Sequence, residues 1–168
     1  MQELYILRHG IAEPPKKGLA DPDRQLTDEG RQKLELVLTR ARAAKVAPTL
    51  IVTSPFVRAV QTAEAAAKVL APKAKIVRSV SLVPDSSPEA VWNEVRQHAV
   101  KGPVLIAGHE PLLGDVISFL VGVDHSIVDF KKGALACLDV DPKQKIPRAA
   151  LQWLITPRVC HADGKGSA

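Results

Sequence analysis

Aromatic side chains make up only 4% of the 168 residues, and cysteine occurs just twice. Grooves that hold nucleic acid combine basic runs with aromatic stacking platforms, so the aromatic shortage argues against such a partner. The basic pairs, Lys16-Lys17 and Lys131-Lys132, are too short to reverse that argument. Cys137 and Cys160 form no C-x-x-C pair, which removes the common redox and zinc motifs. They are expected to be free thiols in a reducing cytoplasm. No apolar run is long enough to cross a bilayer, and no charged-then-apolar leader follows Met1. The expected location is therefore cytoplasmic, with no membrane partner. Walker A and G-x-G-x-x-G stretches are missing as well, which disfavours a nucleotide-binding module.

What is present fits one globular domain. There are no repeats and no linker, and 46% hydrophobic residues can supply one sizeable core. The domain is expected over residues 1–156, followed by a flexible polar tail over 157–168. The net charge of +5 is uneven, with 14 Lys and Arg against 8 Asp and Glu in residues 1–84 and 9 against 10 thereafter. A basic excess in the half that holds Arg8, Arg24 and Arg58 suits an anionic substrate.

Leu4-Tyr5-Ile6-Leu7, Leu50-Ile51-Val52, Ala74–Arg78 and Val104–Ala107 read as strands. Between them, helical spacing of apolar residues predicts helices over about 28–45, 54–71 and 88–100. A further helix opens at Pro111 and ends at Gly122. Thr27 is the expected cap of the first helix, and Ser54-Pro55 the expected start of the second. Residues 10–26 hold three prolines and two glycines with no periodicity, which predicts a long loop of the functional or mobile kind. Strands over about 133–140 and 149–156 are joined too tightly for a crossover and should be antiparallel to each other. The alternation of strand and helix predicts an α/β three-layer sandwich. Its centre is a mostly parallel sheet of about six strands, with helices on both faces.

The polar residues cluster where strands end. Arg8 and His9 follow the first strand, Ser54 and Arg58 the second, and His109 the fourth. In open α/β sheets the carboxyl ends of the strands are where ligands bind. Two arginines, two imidazoles and two helix starts at one sheet edge describe a phosphoryl-transfer site. Guanidinium forks match phosphate oxygens, and an imidazole can attack phosphorus. Gly10 lets the backbone approach a bound group, and Ser54 and Glu110 complete the expected substrate-binding set.

Arg8-His9-Gly10, the stretch Ser54-Pro55-x-x-Arg58-Ala59-x-Gln61-Thr62-Ala63 and Gly108-His109 resemble the three signatures of the histidine phosphatase (phosphoglycerate mutase-like) superfamily. The stretch Asp21-x-x-Arg24-x-Leu26-Thr27-x-x-Gly30 and the short length resemble its SixA-type phosphohistidine phosphatases. The resemblance implies that His9 is a nucleophile that becomes phosphorylated. It implies that Arg8, Arg58 and His109 bind the phosphate and that Arg24 lines the site. It further implies hydrolysis of phosphohistidine on a protein, of the histidine-containing phosphotransfer type. No cofactor is expected, and a monomer is favoured while the sequence leaves the oligomeric state open. A small-molecule phosphatase of the same fold is the runner-up, and a non-catalytic phosphate-binding protein a distant third.

Two departures bear on the acid. Position 11 is Ile11, and only residues 79–87 stand where larger relatives carry an insertion with their acidic residue. Asp21 and Glu110 are the remaining candidates for the general acid, with Asp21 slightly favoured. His109 is expected to be charged beside a bound phosphate. Zinc is disfavoured, since His9 and His109 lack a further ligand at metal spacing and the arginines would repel a cation. His98 and His125 are expected to be solvated, and His161 falls in the tail.

Overall fold

A computed structural model describes residues 1–162. Its strands are β1 (Gln2–Arg8), β2 (Leu50–Thr53), β3 (Lys75–Arg78), β4 (Val104–Gly108), β5 (Leu135–Val140) and β6 (Ala149–Ile155). They form one sheet in the order β3-β2-β4-β1-β5-β6. The first four strands run parallel, β5 is antiparallel to β1, and β6 antiparallel to β5. The expected three-layer α/β sandwich is therefore the observed fold.

The layers follow from strand alternation. Leu4 and Ile6 of β1 face one core with Val91, Trp92, Val95, Val116 and Ile117. These come from α3 (Pro88–Ala99) and α4 (Leu112–Val121). Tyr5 and Leu7 point the opposite way, onto Leu34, Leu38, Ala63 and Ala66 of α1 (Asp28–Ala43) and α2 (Val57–Leu70). Successive strand side chains alternate faces, so the continuous run Leu4–Leu7 serves both cores at once. Thr27 caps α1 as expected, its hydroxyl accepting from the Gly30 N–H at 3.0 Å.

Three boundaries differ from the sequence reading. α2 starts at Val57 rather than at Ser54-Pro55, because Phe56 takes the cap position with extended backbone and its carbonyl accepts from Ala59 and Val60. α4 starts at Leu112, with Pro111 as its cap. Residues 157–162, expected as flexible tail, form a short helix α5 that packs on α1. The rest of that expected tail lies outside the described residues. The loop 10–26 is also more ordered than its composition suggested. It contains a 3-10 turn at Asp21–Asp23 and a bridge between Ala12 and Leu26, and Arg24 Nη1 donates to the Glu13 carbonyl at 2.7 Å. Among the described residues no helix is long and apolar enough to cross a membrane.

Candidate active site

Strands β2, β4 and β1 are adjacent, so their carboxyl ends bring the three signature segments together. Arg8 is in register with Gly108, the His9 N–H donates to the Gly108 carbonyl at 3.0 Å, and the Ser54 N–H donates to Ala107 at 2.9 Å. The rings of His9 and His109 lie 5.1 Å apart. Both are buried, as is Arg58 at 4% exposure, which is unusual for a guanidinium that is not held in place.

The state of His9 follows from its partners. Nδ1 lies 2.7 Å from the Gly10 carbonyl, which can only accept, so Nδ1 carries the hydrogen. In the neutral ring Nε2 then keeps its lone pair. Arg58 Nε donates to that nitrogen at 3.3 Å. Burial pushes the His9 pKa down to about 3, and neighbouring His109, Arg58 and Arg8 add to the effect against the Gly10 carbonyl. At neutral pH the His9 ring is unprotonated, with a fixed tautomer and a lone pair on Nε2.

Gly10 is held as carefully. Its N–H donates to Thr62 Oγ1 at 3.2 Å, and the same hydroxyl donates to the Arg58 carbonyl at 2.7 Å. A Cβ on Gly10 would lie 3.1 Å from the Gly30 carbonyl, and one on Gly30 would lie 2.1 Å from the Ile11 carbonyl. The two glycines let the loop after β1 press against α1, which aims the Gly10 carbonyl at His9. Thr62 thus ties the loop after β1 to the Arg58 helix. Thr62→Val is expected to destabilise the protein by about 1–3 kcal/mol, the cost of a buried donor left unpaired. It should also lower turnover, and Thr62→Ser should restore both. Chemical denaturation and a phosphatase assay check this, and an unshifted unfolding midpoint in Thr62→Val would refute it.

His109 has a different arrangement. Nε2 lies 2.7 Å from Ser54 Oγ, which already accepts from the Phe56 N–H at 3.3 Å. Among the described residues the Ser54 hydroxyl has no other acceptor, so its hydrogen points to Nε2 and the hydrogen of the neutral His109 ring is on Nδ1. That buried nitrogen has no hydrogen-bond partner, and it is the donor a phosphate oxygen would satisfy. Burial, followed by the Arg58 charge, pushes the His109 pKa down to about 3, so the ring is neutral in the free site. Phe56 packs edge-on against it, with ring centroids 5.0 Å apart.

The arginines are already engaged. Arg8 Nη1 donates to the Phe130 carbonyl at 2.6 Å, while its buried Nε has no partner. Arg58 spends both terminal nitrogens on Asp21, Nη1 on the carbonyl at 2.7 Å and Nη2 on Oδ2 at 3.0 Å. Asp21 Oδ1 accepts from Arg24 Nε and Nη2 at 2.9 and 2.6 Å. Arg24 thus reaches the site through Asp21. Partial burial raises the Asp21 pKa, but the Arg24 and Arg58 bonds outweigh it, and the carboxyl lies below its ordinary value. A carboxylate in that state is a poor proton donor.

Glu110 is the opposite case. It is half-buried, and Oε1 accepts from the Gly114 N–H at 2.8 Å. Burial raises its pKa to about 7 despite that bond and the nearby Arg8 charge. Between the two candidate acids, the environment favours Glu110 over Asp21. Gly114 makes this possible, since a Cβ there would sit 2.8 Å from Glu110 Oε2. The spacing Glu110-x-x-x-Gly114 was the available signal for it. Phe130 left none, because its contribution is a backbone carbonyl. Among the described residues no cluster of three or more His, Cys, Asp or Glu is placed to hold a metal ion.

Residues 4–80 match the family model described as histidine phosphatase superfamily (branch 1). An uncharacterised protein of Picosynechococcus sp. is 34% identical over 114 residues, covering 67% of this chain and 69% of the relative. The chain belongs to the histidine phosphatase superfamily. The solved protein histidine phosphatase SixA, complexed with tungstate, superposes with a TM-score of 0.84 at 24% identity, over 94% of this chain and 99% of that one. A mycobacterial glucosyl-3-phosphoglycerate phosphatase superposes with a TM-score of 0.66 at 16% identity, over 90% and 97% of the two chains. At these identities the structural likeness concerns the fold. The family-model match spans β1, α1, β2, α2 and β3, and His109 and Glu110 lie beyond it.

Proposed function

We propose that this phosphatase hydrolyses phosphohistidine on a protein, through a phosphoenzyme formed at His9 Nε2. The observation that carries the reading is the neutral, tautomer-fixed His9 beside Arg8, Arg58 and the unpartnered His109 Nδ1. In the first step an N–P bond forms at Nε2 as the donor's N–P bond breaks, and the departing imidazole takes a proton. His9 becomes a phosphorylated imidazolium, and the Gly10 carbonyl stabilises its Nδ1–H. In the second step water attacks phosphorus and gives up a proton, the His9 N–P bond breaks, and inorganic phosphate leaves. A single carboxyl near pH 7 can supply the first proton and accept the second, which is the role assigned to Glu110.

Substrate choice follows from the acid. Transfer from one imidazole to another exchanges like for like, whereas an alkyl ester requires firm protonation of a poor leaving group. Asp21, held ionised by two arginines, cannot provide that. Nothing long covers the cleft between β3 and α3 either. Residues 79–87 contain only a 3-10 turn, Val80–Leu82, with Leu82 anchored in the core. The resemblance to SixA supports this reading. The likeness in fold to a glucosyl-3-phosphoglycerate phosphatase favours the runner-up, a small-molecule phosphomonoesterase.

A comparison of kcat/KM for a phosphohistidine protein, aryl phosphate and glycerate phosphate separates the two. The expected order is phosphohistidine first, slow aryl phosphate, and glycerate phosphate lowest. Glu110→Gln should lower aryl phosphate turnover by about a hundredfold and remove the fall in rate as pH rises through about 7. Selective hydrolysis of a sugar or glycerate phosphate, with none of phosphohistidine, would establish the runner-up.

A further inference from the structure

Beside the catalytic cleft lies a groove of about 980 Å³ between α1, the loop 129–132 and α5. It begins at Arg8 and reaches His161. Its cations are Arg8, Lys33, Lys131, Lys132 and Arg158, against only two carboxylates, Glu29 and Asp129. Glu29 is paired with Lys33 at 2.6 Å and Asp129 with Lys131. Lys132 and Arg158 are exposed and have no side-chain hydrogen bond or ion pair among the described residues. Ile11, Leu36 and Pro157 give the groove an apolar part, and Leu36 is 38% exposed, on a helix whose inward face is already filled. A surface with uncompensated cations around exposed apolar side chains complements an acidic, amphipathic segment.

The groove is also coupled to the chemistry. Arg8 lines it and stands next to His9, and Arg8 Nη1 holds the carbonyl of Phe130, two residues before Lys132. Whatever lies along Lys131 and Lys132 therefore rests on the loop that Arg8 anchors. We propose that this groove docks an acidic segment of the phosphorylated protein, next to its phosphohistidine, and so selects the protein substrate. The proposal rests on the function proposed above. A metabolite small enough for the cleft would leave Lys132 and Arg158 untouched, so the groove has use only for a longer chain.

The test uses two synthetic phosphohistidine peptides that differ only in their flank, one with alternating Glu and Leu, the other with Gln replacing Glu. Wild type is expected to prefer the acidic peptide about tenfold in kcat/KM, through KM, and the preference should shrink with added salt. The double variant Lys132→Glu, Arg158→Glu should erase or invert it. Each rate is taken relative to p-nitrophenyl phosphate turnover by the same protein, so a general folding or catalytic defect cancels. Equal rates on both peptides in wild type, or an unchanged preference in the double variant, would overturn the docking proposal while leaving the phosphohistidine reading intact. If neither peptide is hydrolysed while p-nitrophenyl phosphate is, the substrate reading fails and the docking proposal fails with it.

Discussion

His9→Ala is expected to lose at least about a thousandfold in turnover while remaining folded, because the proposed reaction then lacks the atom that receives the phosphoryl group. The loss should fall on kcat. The ring has one hydrogen bond to a neighbouring backbone carbonyl and one from Arg58, so its removal leaves the sheet register untouched. Arg8, His109 Nδ1 and the Arg58 helix stay in place, and weak phosphate binding should survive. The decisive readout is trapping. Wild type incubated with a phosphodonor and quenched in alkali should carry one phosphate that acid releases, as expected of an N–P bond, and His9→Ala should carry none. Because the free His9 pKa is held near 3, the nucleophile stays competent throughout the neutral range, and the wild-type rate should show no rise on the acidic side with a midpoint near 6.5. Phosphoenzyme of unchanged yield in the variant would place the nucleophile elsewhere.

The fold and the four central residues were legible because each depends on local pattern. The apolar runs in β1, β2 and β4 mark buried strands, and the polar residues that follow mark where those strands emerge. Adjacency of β2, β4 and β1 then brings Arg8, His9, Arg58 and His109 together without further information. What could not be read from spacing was how each group is spent. Arg58 presents its fork to Asp21, because the 3-10 turn at Asp21–Asp23 folds back over the helix start. That contact turns Asp21 from an apparent free acid into a held carboxylate. Ser54 looked like a helix cap, but Phe56 takes that place and the Ser54 hydroxyl reaches His109, so α2 begins at Val57, two residues after Pro55. Glu110 gained its raised pKa from burial beside Gly114, a property of packing rather than of sequence. Residues 157–162 fold onto α1 although their composition reads as tail, and with them comes one wall of the basic groove.

Arg58→Lys is expected to cost about a hundredfold in turnover, despite keeping the charge. The guanidinium makes three directed bonds at once, to His9 Nε2, the Asp21 carbonyl and Asp21 Oδ2, and its Cζ lies over the Phe56 ring, 5.1 Å from the ring centre. An ammonium on a flexible stem cannot reproduce that fork. It would also be buried with fewer partners, so some loss of stability should accompany the loss of rate. Two roles are then to be separated, orientation of His9 and tethering of the loop through Asp21. Asp21→Asn keeps the carbonyl bond to Arg58 Nη1 and leaves Arg58 Nε on His9, so it should lose far less than Arg58→Lys. Asp21 is also half-exposed, and pairs of that kind contribute little on their own. Equal losses in the two variants would mean that Arg58 acts through the loop, and near-full turnover in Arg58→Lys would show that the directed geometry is dispensable. The expected outcome is a large kcat defect in Arg58→Lys with Asp21→Asn close to wild type, because Arg58 Nε is bonded to His9 Nε2, the proposed nucleophile.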